Sequence, residues 1–392
     1  MSPHSDRTRL IASATRRGQG RRPVNPPIER ASTMLSDRAE TMRDDADGPT
    51  YGLDGGSAAR QLRAGLADLE GAADAFLVPS GLAAVTVPLL ALTRPGDEVI
   101  TTDAVYGPSR RFLARYLAAR GVATRFLPAD TDAAGLIAAL SARTRLVLME
   151  SPASLTFEMI DVAAVTRACR ERGVLTVLDN TWGAGLAFKP LAQGVDISVQ
   201  ALTKYVAGHS DVLIGGIAAT DRACLRAIRD TIEDMGWHVS PDDAWLTLRG
   251  LRTLPVRYAE QGRSGLQVAE WLQARPEVSR VLYPPLHGSV GHDLWARDFA
   301  GAASLMGVVM TGGNEAAGRA FLDALTLFGM GYSWGGFESL ITLETHQMAY
   351  RNHPPALEGE LIRLHVGLED PVDLIADLEK GIAAFSTALT VP

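Results

Sequence analysis

Lysine is nearly missing from this chain. Of 38 basic residues only Lys189, Lys204 and Lys380 are lysines, and the rest are arginines. Arginine stays protonated and is a poor nucleophile, so it does not replace an amine. A lysine kept in such a chain is a candidate for amine chemistry. Cysteine is also scarce, with Cys169 and Cys224 the only two in 392 residues. That excludes a disulfide scaffold and a cysteine-based zinc module, and it suits a reducing, cytoplasmic setting. No uninterrupted apolar run approaches the roughly 18–20 residues of a membrane span. No Gly-x-Gly-x-x-Gly follows a strand, which disfavours a dinucleotide site. Net charge is −7, which argues against nucleic-acid binding. There is no internal repeat and no low-complexity tract. What is present is ample core material: 46% of residues are hydrophobic and 21% charged. A chain of this length suits two or three globular domains.

Three regions differ in texture. Residues 1–22 are rich in arginine and serine, with Asp6 the only acid. This composition superficially resembles a transit peptide; the preferred reading is a flexible arm docking on a partner subunit. Residues 36–50 are polar and read as loop. From about residue 58 strands and helices alternate. Leu62, Leu66 and Leu69 share one helical face. Val99–Ile100, Val122–Leu127, Leu146–Glu150, Val174–Asp179, Ile197–Gln200 and Val212–Ala219 read as strands. Pro108 can start a helix that Gly121 ends, and Val162, Val165 and Cys169 mark another that stops at Gly173. This order implies a mostly parallel sheet with helices on both faces. Beyond about residue 245 come a helix over Asp242–Leu254, strands at Leu305–Met310, Ile341–Leu343 and Arg363–Val366, and a last helix over Val372–Phe385. The division expected is an N-terminal arm at 1–57 contacting a partner subunit, a large domain at 58–245 and a small α/β domain at 246–392.

Ligands of open α/β sheets bind beyond the carboxyl ends of the strands. One such strand ends in Asp179-Asn180-Thr181 and the next in Thr203-Lys204, the carboxylate and the amine lying 25 residues apart. That pair suits pyridoxal phosphate, whose aldehyde takes a lysine and whose ring nitrogen pairs with an acid. The same two residues also read as a structural ion pair. Pro79-Ser80-Gly81-Leu82 opens an apolar helix and offers amides to an anion, or is a plain N-cap. Tyr106 follows a strand and can stack on a flat ring, or pack. Arg363, in an alternating strand, can clamp a carboxylate, or sit on a solvated face. Tyr332-Ser333-Trp334-Gly335-Gly336-Phe337-Glu338-Ser339 packs small residues around an aromatic and is a site segment or a tight turn. His365 reads as packing or a surface contact rather than a catalytic group.

Taken together these motifs carry a resemblance. Ser80-Gly81-Leu82, Asp179-Asn180-Thr181-Trp182, Thr203-Lys204-Tyr205 with Gly208-His209-Ser210-Asp211, and Arg363-Leu364-His365-Val366-Gly367 look like the Cys/Met-metabolism PLP-dependent enzymes of fold type I. The likeness runs from about Val24 to the last helix. The tryptophan of Asp-Asn-Thr-Trp and the Ser-Trp-Gly-Gly segment look most like the bacterial cystathionine β-lyases. The resemblance implies that Lys204 carries the cofactor and moves protons. It implies that Asp179 binds the ring nitrogen and that Tyr106 stacks on the ring. Gly81, Leu82 and Thr203 would hold the phosphate. Arg363 would bind the substrate carboxylate, with Ser333 and Trp334 lining the site. Tyr51 matches a tyrosine that family members donate from the neighbouring subunit, so the active site would be shared within a homodimer, usually paired into a homotetramer.

One segment departs from the pattern. The family stretch usually reads Tyr-x-Arg, and its arginine reaches the cofactor phosphate of the partner. Here it reads Tyr51-Gly52-Leu53-Asp54. A charge-assisted contact of about 1.5–3 kcal/mol is lost at Leu53; Arg60 or an N-terminal arginine is a candidate substitute. The activity implied is β-elimination from L-cystathionine or a related cysteine thioether. The alternatives are γ-elimination or γ-replacement on the same lysine, and a PLP-binding regulatory protein with weak catalysis.

Overall fold

The computed structural model describes residues 4–15, 21, 23–42 and 49–390. Part of the arginine-rich arm and part of the 36–50 loop lie outside the described residues. The chain builds two sheets. The first has seven strands: β1 Asp74–Val78, β2 Glu98–Thr102, β3 Ala123–Leu127, β4 Thr144–Glu150, β5 Leu175–Asp179, β6 Ile197–Gln200 and β7 Gly215–Ala219. Their order is β1-β7-β6-β5-β4-β2-β3. Only β7 runs against its neighbours, pairing antiparallel with both β1 and β6. The mostly parallel sheet expected from the alternation is therefore present. All five residues of β2 and of β7 are buried, as strands covered by helices on both faces must be.

The helices follow the local signals. α1 spans Asp6–Thr15, α2 Ser57–Glu70 and α3 Gly81–Leu92. α4 spans Gly107–Arg111, α5 Ala133–Ala139, α6 Val162–Glu171 and α7 Arg222–Asp234. Leu62, Leu66 and Leu69 of α2 are all buried, as their spacing predicts. Val162, Val165 and Cys169 do the same for α6. The helix begun near Pro108 changes character. α4 passes into a π-helical turn at Phe112–Leu117 and a 3-10 turn at Ala118–Arg120, then stops at Gly121 with φ +79°.

Three expectations need correction. The stretch 1–22 contains an ordered helix tied to its own chain. Leu10 of α1 is buried, Asp6 accepts an ion pair from Lys189 at 2.7 Å and Arg9 reaches Asp68 at 3.3 Å. The helix expected at Asp242–Leu254 is much longer: α8 runs Pro241–Gln273. Pro255, the residue after the expected end, lies inside this helix. The buried stripe Leu251, Leu254, Tyr258, Gly265, Val268 and Leu272 outweighs the lost backbone bond. Three short strands, β1, β8 (Val278–Leu282) and β10 (Gly329–Met330), lie outside the alternation read from the sequence.

The second sheet joins β8 to β9 Leu305–Met310, β10 Gly329–Met330, β11 Leu340–Leu343 and β12 Leu361–His365. Its order is β10-β11-β12-β9-β8, and β8, β9, β12 and β11 pair antiparallel. The C-terminal helix Pro371–Leu389 covers one of its faces with Leu374, Leu378, Ile382 and Phe385. The two sheets flank the α8 helix, and one apolar cluster reaches from Leu62 of α2 through Leu251 and Leu272 of α8 to Phe385.

Candidate active site

The carboxyl ends of β4, β5 and β6 open into a cleft of about 840 Å³ whose other wall includes the Tyr332–Trp334 segment and Arg363 of β12 in the second sheet. Nine of the ten residues singled out in the sequence line it: Gly81, Leu82, Tyr106, Asp179, Thr203, Lys204, Ser333, Trp334 and Arg363. Tyr51 does not. It is 55% exposed and bridges to Thr33 away from the cleft.

The three lysines separate cleanly. Lys189 is held by Asp6 and by the carbonyl of Leu69, and Lys380 by Asp377. Lys204 has no carboxylate partner among the described residues. Its Nζ donates to Ser333 Oγ at 2.7 Å and lies 5.3 Å from the Trp334 ring centre. Burial first, and then the charge of Arg363, lower its amine to a pKa of about 8. Asp179 sits at the end of β5. Burial raises its carboxyl, opposed by the amide and hydroxyl of Thr181, which both donate to Oδ1, and by Lys204. Arg363 comes from β12 with its side chain 13% exposed. Glu344 lies 3.7 Å from its Nε, and its terminal nitrogen donates weakly to the Ser333 carbonyl at 3.4 Å.

The backbone is shaped for an anion. Ser80 has extended φ/ψ, and its side chain accepts from the Ala83 amide at 3.1 Å. The amides of Gly81 and Leu82, first in α3, have no acceptor within the helix and face outward at its positive end. A Cβ at Gly81 would lie 2.3 Å from the Ala201 Cβ, so only glycine brings the helix this close to the β6 end. Thr203 is more constrained than expected. Its hydroxyl donates to the Ile214 carbonyl at 3.1 Å and accepts the Ile214 amide at 2.9 Å. To hold a phosphate it would have to turn its proton away from that carbonyl.

A sequence model described as Cys/Met metabolism PLP-dependent enzyme matches residues 7–383. The chain belongs to this family. The cystathionine β-lyase of Bordetella avium is 41% identical over 371 residues, 93% of this chain and 93% of its own. The cystathionine β-lyase MetC of Escherichia coli is 41% identical over 372 residues, covering 92% of this chain and 93% of that protein. Among solved structures, the cystathionine γ-synthase of Xanthomonas oryzae pv. oryzae, in complex with aminoacrylate and cysteine, matches with a TM-score of 0.90 at 31% identity. It covers 98% of this chain and 100% of that one. The protein is thus a PLP-dependent enzyme of fold type I.

The residues present fit that cofactor. The α3 amides provide for a phosphate, Asp179 for a protonated ring nitrogen and Lys204 for an aldehyde. His365 stands apart from the chemistry. It is buried, accepts the Gly335 amide on Nε2 at 3.0 Å and contacts Ser304 Oγ at 3.1 Å, and burial drives its pKa down to about 3. It is a neutral tie behind the Ser333 turn. Sequence reading missed Glu150, whose Oε2 accepts the Tyr106 amide at 2.7 Å. It also missed Arg351, which lines the cleft together with Tyr332, the first residue of the small-residue segment singled out in the sequence. Glu150 carried the same signal as Asp179, an acid closing a buried strand.

Proposed function

We propose that this enzyme is a carbon–sulfur lyase that eliminates the thiol from Cβ of L-cystathionine or a related cysteine thioether. The thiol (homocysteine from cystathionine) leaves first, and water hydrolyses the released unsaturated amino acid to pyruvate and ammonia. The carrying observation is Lys204: a cleft amine with a pKa lowered to about 8 and no carboxylate partner among the described residues. Its cleft also holds Arg363 and Asp179. Arg363 binds the substrate α-carboxylate, which fixes the direction of the Cα–H bond. The Lys204 amine takes that proton, and Ser333 Oγ holds the amine in place. Pyridoxal phosphate, when bound, supplies the electron sink for the pair left on Cα. Asp179 keeps a positive partner on its carboxylate. The leaving thiolate receives a proton from Lys204, Tyr106 or Tyr51. Gly81, Leu82 and Thr203 hold the phosphate, and Trp334 lines the site.

Tyr51 supports an assembly reading. It is exposed and outside the cleft of its own chain, while Leu213 and Tyr332 at the cleft edge are 70% and 73% exposed. A second copy covering that edge would bring its own Tyr51 to the site, giving a homodimer with shared sites and a homotetramer by pairing. Residues 1–57 would form the arm of that contact. No helix among the described residues is long and apolar enough to cross a membrane. The two buried, unpaired cysteines suit the cytoplasm.

The test is product identity. Purified enzyme with PLP and L-cystathionine should release pyruvate, and Lys204→Ala should abolish turnover. Release of 2-oxobutyrate would replace the β-reading by γ-elimination, against the 41% identity to cystathionine β-lyases. Substantial β-elimination by Lys204→Ala would refute the role given to the lysine.

A further inference from the structure

Glu150 and Asp179 close neighbouring parallel strands. They are the last pair in the β4–β5 register, so their side chains leave the sheet on the same side, and both line the cleft. The donors are shared unequally. Asp179 Oδ1 accepts both the amide and the hydroxyl of Thr181. Glu150 accepts one bond, from the Tyr106 amide at 2.7 Å. Among the described residues no lysine, arginine or histidine forms an ion pair with Glu150. The charged and titratable groups that act on it are Asp179 of β5, the Tyr106 phenol ahead of α4, and Arg351 at longer range beyond β11. Two carboxyls at one strand end, neither of them ion-paired among the described residues, disfavour each other's ionisation.

We propose that Glu150 is a positioning residue that works in its protonated form, fixing the Tyr106 turn while leaving Asp179 as the one carboxylate charge on the cleft floor. This rests on Tyr106 lying against the cofactor, the role that the family resemblance implies for it. The bond is short and reaches the backbone at the first helical turn, where Pro108 already limits the chain. Tyr106 therefore presents its ring from a fixed N–H anchor. Burial and the Asp179 charge both push the Glu150 carboxyl well above the usual carboxylate range, in agreement with the donor count. An ionised Glu150 would repel the Asp179 carboxylate. A neutral one keeps the acceptor and removes the repulsion.

Glutamine mimics a protonated glutamate, which gives the test. Holoenzyme is dialysed against buffer from pH 6 to pH 9, and cofactor retention and the PLP dissociation constant are read by absorbance. Glu150→Gln should match the wild type within about twofold at every pH. Glu150→Ala should bind PLP about tenfold more weakly, because the Tyr106 amide loses its acceptor. Should the alanine variant fail to fold, Glu150→Met removes the acceptor while filling the space. The inference is overturned if Glu150→Gln is as impaired as the alanine or methionine variant. It is also overturned if the wild type shows a pH step that Glu150→Gln lacks. Tyr106→Ala that retains cofactor like the wild type would refute the stacking role and this inference with it, whereas a failure confined to Glu150→Gln would leave the stacking role standing.

Discussion

The state of the Lys204 amine can be tested without any substrate. Its pKa falls from 10.5 to about 8, a bias against the cation of about 3 kcal/mol at roughly 1.4 kcal/mol per unit. At about pH 7.5 close to a quarter of the chains then carry a free amine, against about one in a thousand for an ordinary lysine. Capture of the PLP aldehyde needs that free amine. Uptake of PLP by the cofactor-free enzyme, followed by stopped-flow absorbance, should therefore speed up with pH and level off above an inflection near 8. The causes can be separated. Burial is the largest, and Arg363 is second. Arg363→Gln should move the inflection upward by about half to one unit, while burial keeps it below that of a free lysine. Asp179 acts in the opposite sense, so Asp179→Asn should move it down. A rate that keeps climbing beyond about pH 10 would show an ordinary lysine and refute the reasoning. So would an unchanged inflection in Arg363→Gln, which would leave the guanidinium without electrostatic influence on the amine.

Other consequences concern the frame around the site. Gly335 has φ +81°, and a Cβ there would stand 2.8 Å from the Tyr205 amide nitrogen and 3.0 Å from the Lys204 carbonyl carbon. Gly335→Ala should cost about 2 kcal/mol or more in urea unfolding and lower kcat by displacing Ser333. Unchanged stability would show that the turn gives way freely. Arg257 is buried and donates to the carbonyls of Tyr205, Val206 and Gly250 at 2.8, 3.2 and 2.8 Å. Arg257→Leu leaves those acceptors unpaired behind the Lys204 loop and should destabilise by about 3 kcal/mol in the same assay; a loss under about 1 kcal/mol would mean that water replaces the bonds. Asp377 accepts from the amides of Thr326 and Leu327, and these bonds with Lys380 hold its pKa at about 2 against burial. A lowered acid stabilises the fold above its unfolded pKa, near 4, and loses that contribution as pH falls toward 2. Asp377→Asn should thus cost about 2 kcal/mol at neutral pH and nothing further in acid, read from unfolding curves at both pH values.

Sequence reading succeeded where structure is local. Ser80 caps α3, Gly121 ends a helix and Leu62, Leu66 and Leu69 bury one face because each is decided within a few residues. The large sheet followed from alternation alone, and with it the strand ends that carry Asp179 and Lys204. Failures came where distant packing overrides local preference. The expected helix stops before Pro255, but the core on either side keeps α8 running past it. β1 was hidden because its five residues border a loop and gain their partner, β7, only from across the sheet. α1 reads as part of a flexible arm because its polar composition does not reveal that Lys189, far along the chain, pairs with Asp6.

The amino-acid sequence by itself determined the elements, the scarcity that made Lys204 conspicuous, and the chemistry those residue types can perform. Only the tertiary structure decided their company. It brought Ser333 and Arg363 to an amine more than a hundred residues earlier, set Glu150 beside Asp179, turned the Thr203 hydroxyl toward Ile214, and left Tyr51 outside. Helix caps and periodicity depend on neighbours in the chain. Proximity within the cleft depends on strand register and on packing between domains, which no local pattern encodes.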